Sequence, residues 1–459
     1  MYCTCNSVCE RTVPLSGVSY SRSSIKMALS SSAESSSSSS TPSVVDGLRL
    51  ELSPFNLESL DDYVSLGNHP VHLGDHLGPR NRYRVIHKLG QGGFGIVWLC
   101  QDTAATISPL YVAVKVYVAS ESLEDQVELQ LASFKDVSKD SQAAISVPLN
   151  HFQVEGPNGT HVCLVLPVLG PQMSRELHQE SENIGRVLRE VCRAVVETVK
   201  SLHQHNICHG VQDLDGRDEE EMIRILGVPK RNAVLDGSSP GHSDPRAPQY
   251  LVYPVNWAKV PPQYIGEKPW VIDFGQSFDL KAPREWLGLP DPYRAPELFL
   301  TNSVGVGVDL WALGCTLFEI RNGLELLPAF NGDPDVHLLR MVRVLGRFPE
   351  PWWSTTWENR RIFWSDEEDP SASNQHKQAK NNNSSDCGER GAGEEEPGSL
   401  MDRLRPRFTY AVYPGESRSQ VIPRDEQELL ADLLRRLLSY DPSRRMAAAE
   451  ALEHEWFKL

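Results

Sequence analysis

The feature that most constrains this chain is a set of glycines between two apolar stretches, in Arg84-Val85-Ile86-His87-Lys88-Leu89-Gly90-Gln91-Gly92-Gly93-Phe94-Gly95-Ile96-Val97-Trp98. Gly90, Gly92 and Gly95 give the spacing G-x-G-x-x-G, which by itself also marks dinucleotide sites. A dinucleotide fingerprint has a helix directly after its glycines. Here Ile96-Val97-Trp98-Leu99-Cys100 follows, β-branched and aromatic, and reads as a second strand. After a short gap, Tyr111-Val112-Ala113-Val114-Lys115-Val116-Tyr117 reads as a third strand with one lysine among apolar neighbours. An ordinary glycine hairpin is the bland alternative for the turn, but it leaves the isolated lysine without a reason.

The chain has 459 residues, room for one large two-lobed domain with unstructured extensions, and 40% hydrophobic content supports a proper core. No run approaches the ~20 apolar residues of a membrane span, so no membrane association is expected. A formal charge of -16 argues against non-specific nucleic-acid binding and favours basic partners. The nine cysteines are scattered, and Cys100, Cys163, Cys192, Cys208 and Cys315 sit in core-like segments as small apolar residues. A reducing compartment, cytoplasm or nucleus, fits this usage. Cys3, Cys5 and Cys9 lack the downstream pair or His cluster of a metal site. The first thirty residues are Ser-rich and acid-poor, a faint likeness to a mitochondrial leader without its amphipathic Arg pattern, and Met27 is an alternative start.

Residues 1–80 are expected to form a Ser-rich extension without fixed structure, with the more apolar stretch from Tyr63 to Gly74 packed outside the first lobe. A small lobe is expected over 81–170 and a large lobe over 171–459. Leu123 to Leu131 has the apolar spacing of a helix, and His161 to Gly170 reads as a buried strand ending in a connector. Leu188, Val191, Cys192, Val195, Val199 and Leu202 mark a long helix that leads to His203-Gln204-His205-Asn206-Ile207-Cys208-His209-Gly210. Farther on lie Pro269-Trp270-Val271-Ile272-Asp273-Phe274-Gly275 and Tyr293-Arg294-Ala295-Pro296-Glu297. Asp309 to Ile320 is apolar nearly all round, which means a buried helix. Ser365 to about Met401 is acidic, Asn-rich and Gly-rich and reads as a solvated insert, and Asp441-Pro442-Ser443-Arg444-Arg445 comes near the end.

In this order the motifs resemble a eukaryotic protein kinase, from about Tyr83 to the C-terminus. The resemblance implies an α+β, bilobal fold with a mostly β small lobe and a mostly α large lobe, and ATP and Mg²⁺ as cofactors. It places Leu89, Gly90, Gln91, Gly92, Gly93, Phe94, Gly95, Ile96, Val97 and Ala113 around ATP, with backbone N–H groups closing over the phosphates. Lys115 would supply a point charge to the phosphates, and Glu128 (Glu124 as runner-up) would hold that lysine. Leu166, Val168 and Leu169 would line the adenine pocket, and Asp273 would chelate Mg²⁺. Asp309 matches a brace of the catalytic-loop backbone, and Arg445 is the expected buried partner of Glu297. His161 to Gly170 and Pro70-Val71-His72-Leu73-Gly74 further resemble the SR-protein-specific kinase branch. Its members phosphorylate Ser in Arg-Ser-rich splicing factors, which implies a role in mRNA processing and no direct contact with nucleic acid.

One motif departs from the pattern. A kinase catalytic loop reads H-R-D-x-x-x-x-N, its Asp taking the substrate proton and its Asn holding a second Mg²⁺. Here Val211 follows His209-Gly210, and the Asn position falls on Gly216. The polar, acidic stretch from Asp215 to Glu221 follows, inside the long insert that separates His209 from Asp273. Loss of one short block suggests a splice variant or gene-model error rather than gradual decay. Asp213 and Asp215 are the candidates for a substitute base. Two functions compete: a Ser/Thr kinase, and a catalytically impaired kinase fold that binds nucleotide as a scaffold.

Overall fold

The computed structural model describes residues 47–119 (without 54 and 106–109), 146–170 (without 147), 183–205, 218–261 (without 238), 264, 289–363 (without 329–332) and 399–459 (without 414–415). The first strand β1 (Leu48–Leu50) is followed by β2 (His76–Leu77), β3 (Tyr83–Gly92), β4 (Gly95–Asp102), β5 (Tyr111–Tyr117), β6 (Asn150–Gly156) and β7 (Gly159–Leu166). β2 to β7 form one antiparallel sheet in the order β2-β3-β4-β5-β7-β6. The glycines therefore turn a strand into a strand. At Gly95 the sheet itself demands glycine: φ is +151°, and a Cβ would lie 2.1 Å from the Val116 carbonyl oxygen.

Alternation along these strands divides the sheet into two faces. Val85, Ile96, Trp98, Cys100, Val112, Val114 and Val116 are buried on the upper face. Their cover comes from two distant parts of the chain. One is the segment before the sheet, with Leu60, Tyr63, Val71 and Leu77 in the same cluster. The other is a second sheet, in which β8 (Arg231–Asp236) pairs with β1, with β9 (Ser239–Pro240) and with β10 (Tyr250–Val252). This corrects two boundaries. The described residues from 47 to 80 are folded, because a sheet with an apolar upper face must be covered. Residues 218–260 belong with the small lobe rather than the large one, because Val234, Leu251 and Val252 complete that cover.

The large lobe starts with α1 (Ile184–His205), where Leu188, Val191, Cys192, Val195 and Val199 are buried as their spacing predicts. Next, α2 (Glu219–Leu226) replaces the expected acidic loop: the Asp218 side chain caps the Glu221 N–H at 2.8 Å and three glutamates sit at the positive helix end. Its Met222, Ile225 and Leu226 pack with Ile86, Leu99, Tyr111 and Val168 beneath the small-lobe sheet. After α3 (Pro296–Leu300) comes α4 (Val306–Asn322), buried at every residue from Leu310 to Glu319. α4 is the axis of the large-lobe core, surrounded by α1, α5 (Pro334–Leu345), and the C-terminal α7 (Arg424–Leu437) and α8 (Ala448–Leu452). A short α6 (Leu400–Arg403) falls where the acidic insert was expected to continue; Leu400 is buried and Ser399 shares hydrogen bonds with Asp402. The helix expected at Leu123–Leu131 lies outside the described residues.

Candidate functional site

The site is built on the lower face of the small-lobe sheet. One line of cross-strand partners runs Gly90–Val97–Lys115–Leu164, and the next runs His87–Leu99–Ala113–Leu166. Direct partners in an antiparallel sheet point to the same face. Val97, Ala113, Lys115 and Leu166 therefore converge below the glycine turn, from three strands joined only by register. The Lys115 ammonium lies 4.6 Å from the Tyr117 ring centroid, a cation–π distance. Tyr117, Val162 and Leu164 form a buried cluster there, against which Phe94 and Leu166 pack. Phe94 is held from its backbone too, its carbonyl accepting from Val118 N–H at 3.1 Å.

The remaining wall residues divide. Leu89 and Val168 pack in the cluster that includes α2, so this helix backs one side of the site. Leu169 is half-buried at the connector after β7. Among the described residues, a Cβ placed on Gly90, Gly92 or Gly93 would meet nothing within 4 Å, so on that side the turn faces open space, unlike Gly95. That room beside backbone N–H groups, together with one ammonium, fits a polyphosphate. Glu128, Glu124, Asp213, Asp215 and Asp273 lie outside the described residues. Among the described residues no group of three His, Cys, Asp or Glu is placed to hold a metal.

The anchor expected in the large lobe is formed. Arg445 Nη1 and Nη2 donate to Glu297 Oε1 and Oε2 at 2.6 and 2.7 Å, with both side chains buried. Arg445 also donates to the carbonyls of Gly307 and Ser439, at 2.7 and 2.8 Å, and stacks 5.1 Å from the Trp311 ring. Tyr293 donates its hydroxyl to Glu319 of α4, so the segment leading to Glu297 is fixed from two sides. Asp309 sits in the first turn of α4; the loop it is expected to brace is outside the described residues.

Sequence reasoning missed the packing of α2 and a buried group on β3. The signal for α2 was present, since Met222, Ile225 and Leu226 have helical spacing after an N-cap aspartate, but the acidic run masked it. Lys88 gave no such signal. It is fully buried, and its ammonium donates to Glu58 and to Gln91 of the glycine turn.

This bilobal α+β arrangement is the fold of protein kinase domains. A solved crystal structure of a kinase domain superposes on 85% of this chain and 98% of its own length, with a TM-score of 0.51 and 19% identity. The protein kinase domain family model matches residues 267–457, within the large lobe. Curated relatives extend the likeness through the small lobe. The serine/threonine-protein kinase SRPK of Physarum polycephalum is 24% identical, over 87% of this chain and 91% of that protein. AFC3 of Arabidopsis thaliana is 26% identical over 85% of each, and the human dual specificity protein kinase CLK4 is 24% identical over 83% of this chain and 67% of its own length. Along both lobes the chain is thus similar to eukaryotic protein kinases of the SR-protein-kinase-like type.

Proposed function

We propose that this protein is a serine/threonine protein kinase that binds Mg-ATP and passes its γ-phosphate to serines of basic, Arg-Ser-rich proteins in the cytoplasm or nucleus. The observation that carries the reading is the line Gly90–Val97–Lys115–Leu164, which sets an ammonium under an open glycine turn. When bound, Mg-ATP supplies the phosphoryl group. The chain's own work is to hold it: the N–H groups of the glycine turn take phosphate oxygens, Lys115 neutralises their charge, and Val97, Ala113, Leu166, Val168 and Leu169 enclose the base. Asp273 would be the Mg²⁺ ligand. The net charge of -16 suits a basic substrate.

A second reading is favoured by one specific observation, Val211 directly after His209-Gly210. With no Asp there to take the serine proton, the fold holds nucleotide and acts as a scaffold. Phosphate incorporation into an Arg-Ser peptide separates the two, using the chain and a version with an Asp- and Asn-bearing loop inserted after Gly210. General-base positioning contributes about 10²–10⁴-fold, so the inserted loop is expected to raise the rate by that order. Equal rates, with activity abolished by Asp213→Asn or Asp215→Asn, would show that a substitute base is at work.

A further inference from the structure

We propose that the segment before the small lobe positions the glycine turn through a buried relay, Glu58–Lys88–Gln91, and thereby sets how tightly the turn closes over a nucleotide's phosphates. The proposal rests on the nucleotide-binding reading above. Lys88 is 0% exposed, and its ammonium donates both to a Glu58 oxygen and to the Gln91 side-chain oxygen. The other Glu58 oxygen accepts from the Tyr63 hydroxyl at 2.8 Å, and Tyr63 is itself sealed in the upper-face core. Each link therefore leads from a packed segment to the tip of a turn.

Register makes the relay possible. Lys88 and Gln91 are three residues apart, which in a regular strand puts them on opposite faces. β3 has a register shift between Lys88 and Gly90, so Lys88 lies opposite Trp98 and Gln91 opposite Ile96, both upper-face residues. The Lys88 carbonyl is held as well, accepting from Val255 N–H at 3.0 Å. A buried ammonium needs partners, and one carboxylate would neutralise it. The second acceptor belongs to the turn.

Among the described residues, and beyond its own β3–β4 pairing, the turn has few other holds. Gly90, Gly92 and Gly93 offer no side chains, Phe94 anchors it from below, and Gln91 anchors it from above. Glycine segments lose the most freedom on ordering, so a tether that pre-orders the turn lowers the cost of binding phosphates. Adenosine, which lacks phosphates, gains nothing from it.

The test uses the full chain and its Glu58→Gln and Gln91→Leu variants, titrated calorimetrically with Mg-ATP and with adenosine. Amide hydrogen exchange over residues 90–95 is followed in parallel. Both variants are expected to weaken Mg-ATP by about five- to tenfold while adenosine changes by less than about twofold. Exchange over 90–95 should quicken by about tenfold relative to β5. Gln91→Leu keeps the Lys88–Glu58 pair and covers the case in which Glu58→Gln fails to fold. Equal weakening of both ligands, or unchanged exchange in folded Gln91→Leu, overturns the relay. If the unaltered chain binds neither ligand, the nucleotide reading fails instead, and the exchange result still decides whether the relay orders the turn.

Discussion

Arg445 and Lys88 are both cations sealed inside the protein, and each faces a glutamate far away in sequence. Their surroundings differ. Arg445 spreads its planar fork over two carboxylate oxygens and two carbonyls, in the core of the large lobe. Lys88 meets one carboxylate and one amide oxygen, and burial pulls its pKa below the usual lysine range while Glu58 pulls it back up. A guanidinium suits a fixed, many-partnered anchor, whereas a point charge on a flexible stem suits a junction between segments. The large-lobe pair locks one lobe to itself. The small-lobe pair ties a peripheral segment to a mobile kind of backbone, a glycine turn.

The most drastic way to break this contrast is to delete residues 47–80. That removes Glu58 together with Leu60, Tyr63, Val71 and Leu77 from the upper-face core. At about 2 kcal/mol for each buried apolar side chain, the loss is about 8 kcal/mol, and the small lobe is expected to unfold while the large lobe remains. Exchange resolved by lobe would measure it, and an intact sheet after deletion would mean that β8 and β10 cover the face alone.

Arg445→Ala comes next. Stranding Glu297 in the core should cost about 4 kcal/mol, read as a shift in the urea midpoint. Lys88→Met should cost about 3 kcal/mol, slightly less because Glu58 keeps the Tyr63 hydroxyl as a donor. Pairing Lys88→Met with Glu58→Leu should return most of that loss, since a buried ion pair replaced by apolar groups is often near neutral. If the double variant were as unstable as the single one, packing rather than charge would govern the site.

The smallest expected effect concerns His337, buried on α5 beside Phe299 of α3. Burial lowers its pKa to about 4, against the opposing pull of Asp291 and of the Arg294 backbone, while the charges of Arg294 and Arg340 add to the depression; the Phe299 ring is 5.2 Å away. The unfolded chain binds a proton near the ordinary histidine pKa of 6.5, and the folded chain refuses it until about 4. Stability is therefore lost as pH falls through that window, by about 2 kcal/mol from neutrality to pH ~5. His337→Leu should flatten this part of the melting-temperature profile. An unchanged slope would assign the acid sensitivity to other groups.

What could be read from the residues alone was whatever local pattern and motif order carry. Glycines followed by a β-branched run dictated strand–turn–strand, the spacing from Leu188 to Val199 dictated α1, and the all-apolar stretch from Leu310 dictated the buried α4. Glu297 and Arg445 could be paired at a distance because each sits in a recognisable motif. Tertiary structure alone decided what covers the upper face of the sheet. Tyr63 to Gly74 was legible as an apolar segment packed on the lobe, but the rest of 47–80 looked structureless because a short, mixed segment has no period of its own, and its apolar side chains gain burial only against a sheet formed later in the chain. α2 was hidden for the same reason: its three apolar residues are too few to declare a helix against an acidic run until Ile86, Leu99 and Val168 are there to receive them. Lys88 was the least legible. Which face it occupies depends on one extra residue in β3, and whether an ammonium can stay buried depends on a glutamate thirty positions earlier.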